Sequence, residues 1–403
     1  MKILVVVGEF LQANSSANLC HLAYLRGLVE AGYDVTLLSS EGEDQTTDPA
    51  MHIPDSIRCY TVKCKTLYEK LSNRKRQAVI QKSQGVVLMM PAAGTKQKVI
   101  SAIKKSFLSF YGPHGIYSKF AAKAGSFESK EDYDYLISIS TPPSSHLAAH
   151  RLISSGRVKC GHWIQIWEDP WYADAFGFNK KPSILREERR LLSFAESICY
   201  VSPITLENQK KLFPESADKM YWAPLPAYYP GSKEPETNKG EGCFGYFGDY
   251  APVVRNLEPF YEAAKHQEME TYICGNSSRP FPSAEHIHVH PRMPLDKLRA
   301  FEEKTNALVF LCNRAGGQIP GKIYQYSATH KWILFILDGP EEEKKTLRAF
   351  FEPFHRYVFC DNTVESIEEA IRRIRMNDCP GISNEPLTQF EPANIIRTVL
   401  REG

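Results

Sequence analysis

The fold class follows from residues 2–38, which read KILVVVGEFLQANSSANLCHLAYLRGLVEAGYDVTLL. The apolar run at residues 2–7 predicts a buried strand, and residues 35–38 predict a second one. Between them, residues 18–31 carry apolar side chains at helical spacing, and Gly32 follows as a C-terminal cap. Strand, helix and strand in this order form the repeating unit of a parallel sheet that is covered on both faces.

The same unit recurs in two series along the chain. Further strands of the first series are predicted at residues 135–140, 161–167 and 198–201. Strands of a second series are predicted at residues 243–248, 271–275, 287–289, 308–311 and 332–336. Between the two series, residues 226–242 are polar, proline-containing and aperiodic, which is typical of a linker.

We therefore predict an α/β protein with two doubly wound, Rossmann-like domains that face a cleft. The first domain is predicted at residues 1–225, the linker at 226–242, the second domain at 243–385, and a C-terminal helix that crosses back to the first domain at 386–403. In open α/β sheets, ligands bind at the carboxyl ends of the strands. The loops that follow the strands are therefore the places to look for a site.

The composition excludes several classes of protein. Of the 403 residues, 43% are hydrophobic and 24% are charged, which is typical of a globular protein. No apolar run is long enough for a membrane span, and the ten cysteines show no metal-binding or disulfide spacing. We expect reduced thiols and a cytoplasmic location.

Basic charge is concentrated at residues 63–123, which hold 13 Lys or Arg residues and the single acidic residue Glu69. Residues 97–111 form an amphipathic pattern that could lie on the inner, anionic face of a membrane as a peripheral contact. The alternative is an ordinary helix that packs on the sheet and exposes its lysines to water. Nucleic acid is not expected as a partner, because aromatic residues are not interleaved with the basic ones.

Three segments of the second series follow strands, and two of them combine glycines with cationic side chains. Gly248 ends a strand and Arg255 follows it, while Arg292 and Met293 come after a third strand. The segment at residues 313–326 reads NRAGGQIPGKIYQY and joins a strand to a helix. Glycine allows a ligand to approach the backbone, and a lysine or arginine nearby favours a phosphate. The pattern therefore indicates a diphosphate site.

These segments resemble the donor-site signature of the glycosyltransferase family 4-like group, which has the GT-B fold. Residues 140–143 (STPP) and 167–171 (WEDPW) in the first domain match the same group in order and spacing, whereas residues 40–130 do not. The resemblance implies a hexosyl- or related glycosyltransferase that acts on a nucleotide sugar, most simply a UDP- or GDP-sugar. It also implies retention of configuration at the sugar.

The resemblance further implies roles for individual residues of the second domain. Gly248, Arg255 and Lys322 would hold the diphosphate, and Gln325 would bind the ribose. Arg292 and Met293 would lie beside the base, and Asn313 and Gln318 beside the sugar or phosphate. The donor-binding residues predicted in this way are Gly248, Arg255, Arg292, Met293, Asn313, Gln318, Gly321, Lys322 and Gln325.

The acceptor is expected to enter from the first domain. Glu9, Asn14, Ser15 and Ser16 occupy the loop after the first strand, and Asp169 and Trp171 follow a later one. Asp169 and Glu9 are the catalytic candidates, with Asp169 either a general base or a group that only positions the acceptor. Asn14, Ser15, Ser16 and Trp171 are the acceptor-side candidates. A lipid-linked saccharide of surface-polysaccharide assembly would fit the basic segment.

Two alternatives stay open. Many members of the family carry two glutamates eight residues apart, and here Gly317 and Gln325 stand at those positions, so the chain could be a binding protein that keeps the fold and has lost catalysis. The other alternative is a nucleotide-sugar epimerase of the same fold, against which the lack of acidic residues at 313–326 argues. We expect no cofactor besides the donor and no metal, because the histidines at 286, 288 and 290 lack a completing ligand and Asp132 and Asp134 precede a strand instead of ending one.

Overall fold

A computed structural model describes residues 1–42, 47–64, 112–174, 179–227, 242–315 and 317–402. Within these residues the first half of the chain builds one parallel sheet in the order β3-β2-β1-β4-β5-β6-β7. Its strands are β1 Lys2–Val7, β2 Asp34–Ser40, β3 Arg58–Val62, β4 Asp132–Ser140, β5 Lys159–Trp167, β6 Ser197–Tyr200 and β7 Met220–Trp222. The helices that cover it are α1 Ser16–Glu30, α2 Ser118–Ala124, α3 Ser144–Ser154, α4 Pro182–Phe194 and α5 Pro203–Leu212.

The second half builds another parallel sheet, in the order β10-β9-β8-β11-β12-β13. Its strands are β8 Phe244–Phe247, β9 Thr271–Cys274, β10 Ile287–His290, β11 Ala307–Leu311, β12 Trp332–Leu337 and β13 Val358–Asp361. Its helices are α6 Glu258–His266, α7 Leu295–Lys304, α8 Lys322–Ser327, α9 Glu341–Phe351, α10 Val364–Arg375 and α11 Pro392–Leu400. The two doubly wound domains predicted from the sequence are therefore present.

Both faces of the first sheet are buried, as its uninterrupted apolar strands require. In β1, Val5 and Val7 belong to one apolar cluster, and Leu4 and Val6 belong to another on the opposite face. The first of these clusters continues into the second domain, where it includes Phe310 of β11. Apolar packing thus joins the two sheets along the side where they face each other.

The C-terminal helix α11 packs against α1 of the first domain, as predicted. Gly27 of α1 allows this close approach, because a Cβ atom at that position would lie 2.3 Å from the carbonyl oxygen of Pro392. The hydroxyl of Tyr221 on β7 donates to the carbonyl oxygen of Val399 at 2.6 Å. The chain therefore ends on the domain in which it began.

Two predictions lie wholly or mainly outside the described residues. Most of the basic segment falls at residues 65–111, and most of the linker falls at residues 228–241. The membrane contact and the domain boundaries accordingly stay predictions. Of the helices that are described, none combines the length and the apolar character that a bilayer span requires.

Candidate functional site

A cavity of about 570 Å³ lies between the two domains, at the carboxyl ends of both sheets. All nine residues that were predicted to bind the donor line it, although they come from three separate loops and one helix. They are Gly248, Arg255, Arg292, Met293, Asn313, Gln318, Gly321, Lys322 and Gln325. From the first domain, the predicted residues Asn14, Ser16 and Asp169 line the opposite wall.

Arg255 is held in place by the loops on either side of it. Its Nε donates to the side-chain oxygen of Asn313 at 2.8 Å, and a terminal nitrogen donates to the carbonyl of Asp249 at 3.1 Å. The amide of Asn313 in turn donates to the carbonyl oxygen of Gln318 at 3.3 Å. Because these acceptors fix the guanidinium plane, the cation is preorganised for a bidentate anion.

Arg292 belongs to a network that connects the loops after β8, β9 and β10. Its guanidinium lies 2.7 Å from the carboxylate of Asp249, and its backbone N–H donates to the side chain of Asn276 at 3.1 Å. Asp249 accepts the backbone N–H of Asn276 at 2.8 Å. Gly275 allows the Asp249 and Asn276 loops to approach this closely, since a Cβ atom at position 275 would lie 2.0 Å from the carbonyl oxygen of Gly248.

Lys322 and Gln325 face the cavity from α8. The Lys322 ammonium lies 3.6 Å from the carboxylate of Glu302 on α7, and the glutamate side chain is only 7% exposed. Gln325, one turn further along, is 6% exposed. The buried glutamate holds the ammonium at the cavity wall while the lysine side chain stays 24% exposed to an incoming ligand.

Asp169 contacts the second domain directly. Its carboxylate accepts a hydrogen bond from the side-chain amide of Gln318, across the cleft. Desolvation within the cleft raises the pKa of Asp169, although Gln318 and the charge of Arg255 oppose this. Asp169 therefore lies where the first-domain wall of the cavity touches the second domain.

A buried carboxylate–imidazole pair stands beside Asp169. Oε2 of Glu168 lies 3.2 Å from Nε2 of His21 on α1, and both side chains are almost fully buried. Burial raises the pKa of Glu168. Burial alone would lower the pKa of His21, but the Glu168 carboxylate, the charge of Glu9 and the backbone of Ser140 together outweigh it, so the pKa of His21 is raised. Glu168 lines the cavity, so this pair can hold a proton at its wall.

Three predicted residues lie away from the lining of the cavity. Ser15 accepts the backbone N–H of Asn18 at 3.1 Å and so caps α1, which gives it a structural role. Trp171 is 8% exposed and packs on His114 with ring centroids 4.9 Å apart, so its face is covered by protein. Glu9 is half-buried and contributes to the charge around His21.

Gly317 forms a contact between the domains at the position where many family members carry a glutamate. Its carbonyl oxygen accepts the hydroxyl of Ser202 at 2.6 Å. Its φ angle is 69°, and a Cβ atom would lie 2.3 Å from a methyl carbon of Ile204. No larger side chain fits here without movement, so the backbone geometry and the neighbouring domain both explain the glycine.

Glu188 on α4 fixes the loop that follows Asp169. Its carboxylate accepts the backbone N–H groups of Trp171 at 3.3 Å and Tyr172 at 2.7 Å, and burial raises its pKa from the ordinary 4.5 to about 7. The folded protein therefore binds this proton more tightly than the unfolded chain does. As a result, the free energy of unfolding should fall by about 3 kcal/mol between pH 4.5 and pH 7 through this group.

Replacing Glu188 with glutamine should remove most of that pH dependence, because glutamine cannot ionise. Urea unfolding of wild type and Glu188→Gln at pH 5 and pH 8 measures the difference directly. The exposed Glu207 of α5 provides the control, since Glu207→Gln should leave the pH dependence unchanged. If Glu188→Gln and wild type lose stability equally between pH 5 and pH 8, Glu188 does not carry the effect.

Sequence reasoning assigned no role to several residues of the site. Glu168 lies within the quoted WEDPW segment, and Gly275 ends a predicted strand, so their positions at strand ends were available as a signal. His21 and Glu302 lie within helices, and nothing in their local sequence distinguishes them from surface residues.

Over the described residues, no group of three or more His, Cys, Asp or Glu side chains is arranged to hold a metal.

Comparison with known proteins establishes the fold. No family model matches the chain, and no curated protein matches its sequence. Three solved structures align with the whole of this chain. A sucrose-phosphate synthase from Thermosynechococcus elongatus has a TM-score of 0.54 and 13% sequence identity, with 93% of its own chain covered. A UDP-N-acetylglucosamine 2-epimerase has a TM-score of 0.52, 12% identity and 95% of its chain covered, and an E. coli trehalose-6-phosphate protein bound with UDP-2-fluoro glucose has a TM-score of 0.52, 10% identity and 96% of its chain covered. At these identities the similarity concerns the fold alone, and it confirms the GT-B class.

Proposed function

We propose that this protein is a glycosyltransferase that moves a sugar from a nucleotide-sugar donor to a hydroxyl acceptor. One observation carries the proposal: the nine residues that the family 4-like resemblance assigns to the donor all line a single cavity between the domains. Residues scattered over about 80 positions of the sequence would not converge in this way by composition alone. A neighbour of the same fold, bound with UDP-2-fluoro glucose, supports a nucleotide sugar as the ligand.

In the proposed complex, the cationic side chains of the second domain bind the diphosphate. Arg255 and Lys322 stabilise the negative charge that builds up on the leaving nucleoside diphosphate as the bond to the sugar breaks. Gln325 binds the ribose, and the loop at Arg292 and Met293 contacts the base. The donor is a UDP- or GDP-sugar, and no metal is required for this charge stabilisation.

The acceptor enters along the first-domain wall formed by Asn14, Ser16 and Asp169. Asp169 orients the acceptor hydroxyl through its carboxylate, whose pKa is raised by desolvation in the cleft. We propose that configuration at the sugar is retained, in which case Asp169 only positions the hydroxyl. Closure of the domains around the reacting atoms would keep water from hydrolysing the donor.

The basic segment at residues 63–123 supports a narrower proposal about the acceptor. Its 13 basic residues favour an anionic membrane surface, where a lipid-linked saccharide of surface-polysaccharide assembly would be presented. The protein would then act on the cytoplasmic face of the membrane as a peripheral enzyme. Binding to vesicles that contain anionic lipid, compared with neutral vesicles, tests this part separately.

A nucleotide-sugar epimerase remains a second candidate because of one observation. Such an enzyme needs acid–base groups in the cleft, and the Glu168–His21 pair supplies them at the cavity wall. UDP-N-acetylglucosamine 2-epimerases share the fold. The two functions differ in their products, since a transferase forms a new glycoside and an epimerase does not.

The deciding experiment measures nucleoside diphosphate release from UDP-, GDP-, dTDP- and ADP-sugars, together with analysis of the sugar product. We expect release from one donor class and a new glycoside when an acceptor is supplied. Release of the nucleotide together with an isomerised sugar would favour the epimerase. If no nucleoside diphosphate or nucleotide sugar raised the melting temperature, the donor site itself would be wrong, because a ligand at 100 times its Kd adds about 2.7 kcal/mol to stability.

A further inference from the structure

Asp48 is a buried carboxylate that bridges the two domains. It lies in the loop after β2, it is 7% exposed, and its Oδ2 accepts the backbone N–H of Leu295 in the second domain at 3.1 Å. The same oxygen accepts the side-chain amide of Asn14 at 2.8 Å, and Oδ1 accepts the backbone N–H of Ala50 at 3.0 Å. The carboxylate is thus held from its own domain and presented to the other one.

Leu295 is the first residue of α7, and α7 has no cap of its own. The preceding residue is Pro294, which makes no side-chain capping hydrogen bond. The first N–H groups of a helix lack partners within the helix, and they carry a partial positive charge that favours a carboxylate. Asp48 therefore acts as the cap of α7 from 247 residues away in the sequence.

The capped end of α7 belongs to the wall of the cavity. Arg292 and Met293 immediately precede it, and Leu295 and Leu298 from its first turn line the cavity as well. Arg292 is already tied to Asp249, so the direction of α7 affects the whole network around this loop. The cap consequently acts on the part of the site where we place the nucleotide base.

Two other polar contacts between the domains involve the loop after β11, a strand that lies on the other side of β8 and β9 from β10. Asp169 accepts from Gln318, and Ser202 donates to Gly317, both within the loop before α8. The first domain therefore contacts the second on both sides of the donor site. Contacts from the first domain therefore help to position both walls of the site, although the proposed donor-binding residues belong to the second domain.

We propose that Asp48 is a positioning residue that completes the nucleotide side of the donor site across the domain cleft. The proposal rests on the proposed function, because it assumes that the cavity binds a nucleotide. Asp48 does not touch the reacting atoms. It acts through α7, by keeping the first turn of this helix formed and the Arg292 loop in its binding position when the domains are together.

Amide hydrogen exchange of the full-length protein without ligand tests the cap itself. In Asp48→Ala the amide of Leu295 should exchange at least about 10-fold faster than in wild type, since its hydrogen-bond acceptor is gone. Asp48→Asn keeps an oxygen acceptor and should restore most of the protection. The control is Asp55→Ala, because Asp55 follows the same strand but its side chain is 96% exposed. Unchanged exchange at Leu295 in Asp48→Ala would overturn the proposal.

Nucleotide binding tests the positioning role, with UDP and GDP as the probes. For whichever probe wild type binds, we expect a Kd about 5- to 30-fold higher in Asp48→Ala, near-wild-type binding in Asp48→Asn, and no change in Asp55→Ala. Faster exchange at Leu295 with an unchanged Kd would reduce Asp48 to a structural cap and overturn the positioning role. If wild type bound neither probe, the proposed donor site would fail, while the exchange result would still decide whether Asp48 caps α7.

Discussion

Replacing Lys322 with alanine is expected to weaken binding of the donor nucleoside diphosphate by about 100-fold. The release of nucleoside diphosphate from the nucleotide sugar should fall by at least the same factor. Charge-assisted hydrogen bonds contribute about 1.5–3 kcal/mol each, and the Lys322 ammonium is a cation aimed at the cavity from α8. Titration calorimetry with UDP and GDP, followed by the release assay with the matching sugar nucleotide, measures both effects.

Two further variants separate binding from folding in this experiment. Lys322→Ala also removes the cation beside the buried Glu302, which could destabilise α7. The double variant Lys322→Ala with Glu302→Gln removes that charge, so its melting temperature should recover while its nucleotide affinity stays low. Lys297→Ala changes an exposed lysine on α7 and should bind normally. Wild-type affinity in Lys322→Ala would contradict the diphosphate role.

Replacing Arg356 with methionine is expected to destabilise the protein by about 3–5 kcal/mol. Arg356 is fully buried, and its guanidinium donates to the carbonyl oxygens of Thr329 and Lys331, each at 2.6 Å, and of Ser383 at 3.3 Å. Burial lowers its pKa to about 10, so the side chain stays charged at neutral pH. Methionine fills a similar volume but leaves these three carbonyls without their donor.

Urea unfolding followed by circular dichroism measures this loss, and a domain of this size should melt roughly 10 °C lower. Arg372 on α10 is the matched control, because it is exposed and pairs with Glu369 one turn earlier. Arg372→Met should change the free energy of unfolding by less than about 0.5 kcal/mol. Equal stability of the two variants would show that the carbonyls around Arg356 find other partners.

The elements predicted from sequence were those whose local pattern is strong. Strand β1 and helix α1 were found close to the predicted bounds, because a six-residue apolar run and a helical stripe are both local signals. Strand β3 was missed because it lies at the sheet edge, where four of its five residues are exposed. Strand β7 is only three residues long, too short for any periodicity to appear.

A topological reason explains why the nine predicted donor residues lie together. In a parallel sheet every strand ends at the same edge, so polar residues after strands converge whatever their separation in sequence. Gly248 after β8 and Asn313 after β11 line one cavity for this reason. The motif at residues 313–326 supplied five of the nine predicted donor residues as a single continuous segment.

The sequence by itself thus determined the α/β class and the two-sheet organisation, since local periodicity encodes both. The nine predicted donor residues came from the family resemblance, and the parallel order of the strands explains why they line one cavity. Only the tertiary structure decided which first-domain residues face them. Trp171 is covered by His114, Ser15 caps its own helix, and Asp48 reaches across the cleft to Leu295. Such contacts depend on how the two domains pack. A local sequence pattern does not indicate which of many polar side chains will accept a hydrogen bond from a distant backbone N–H.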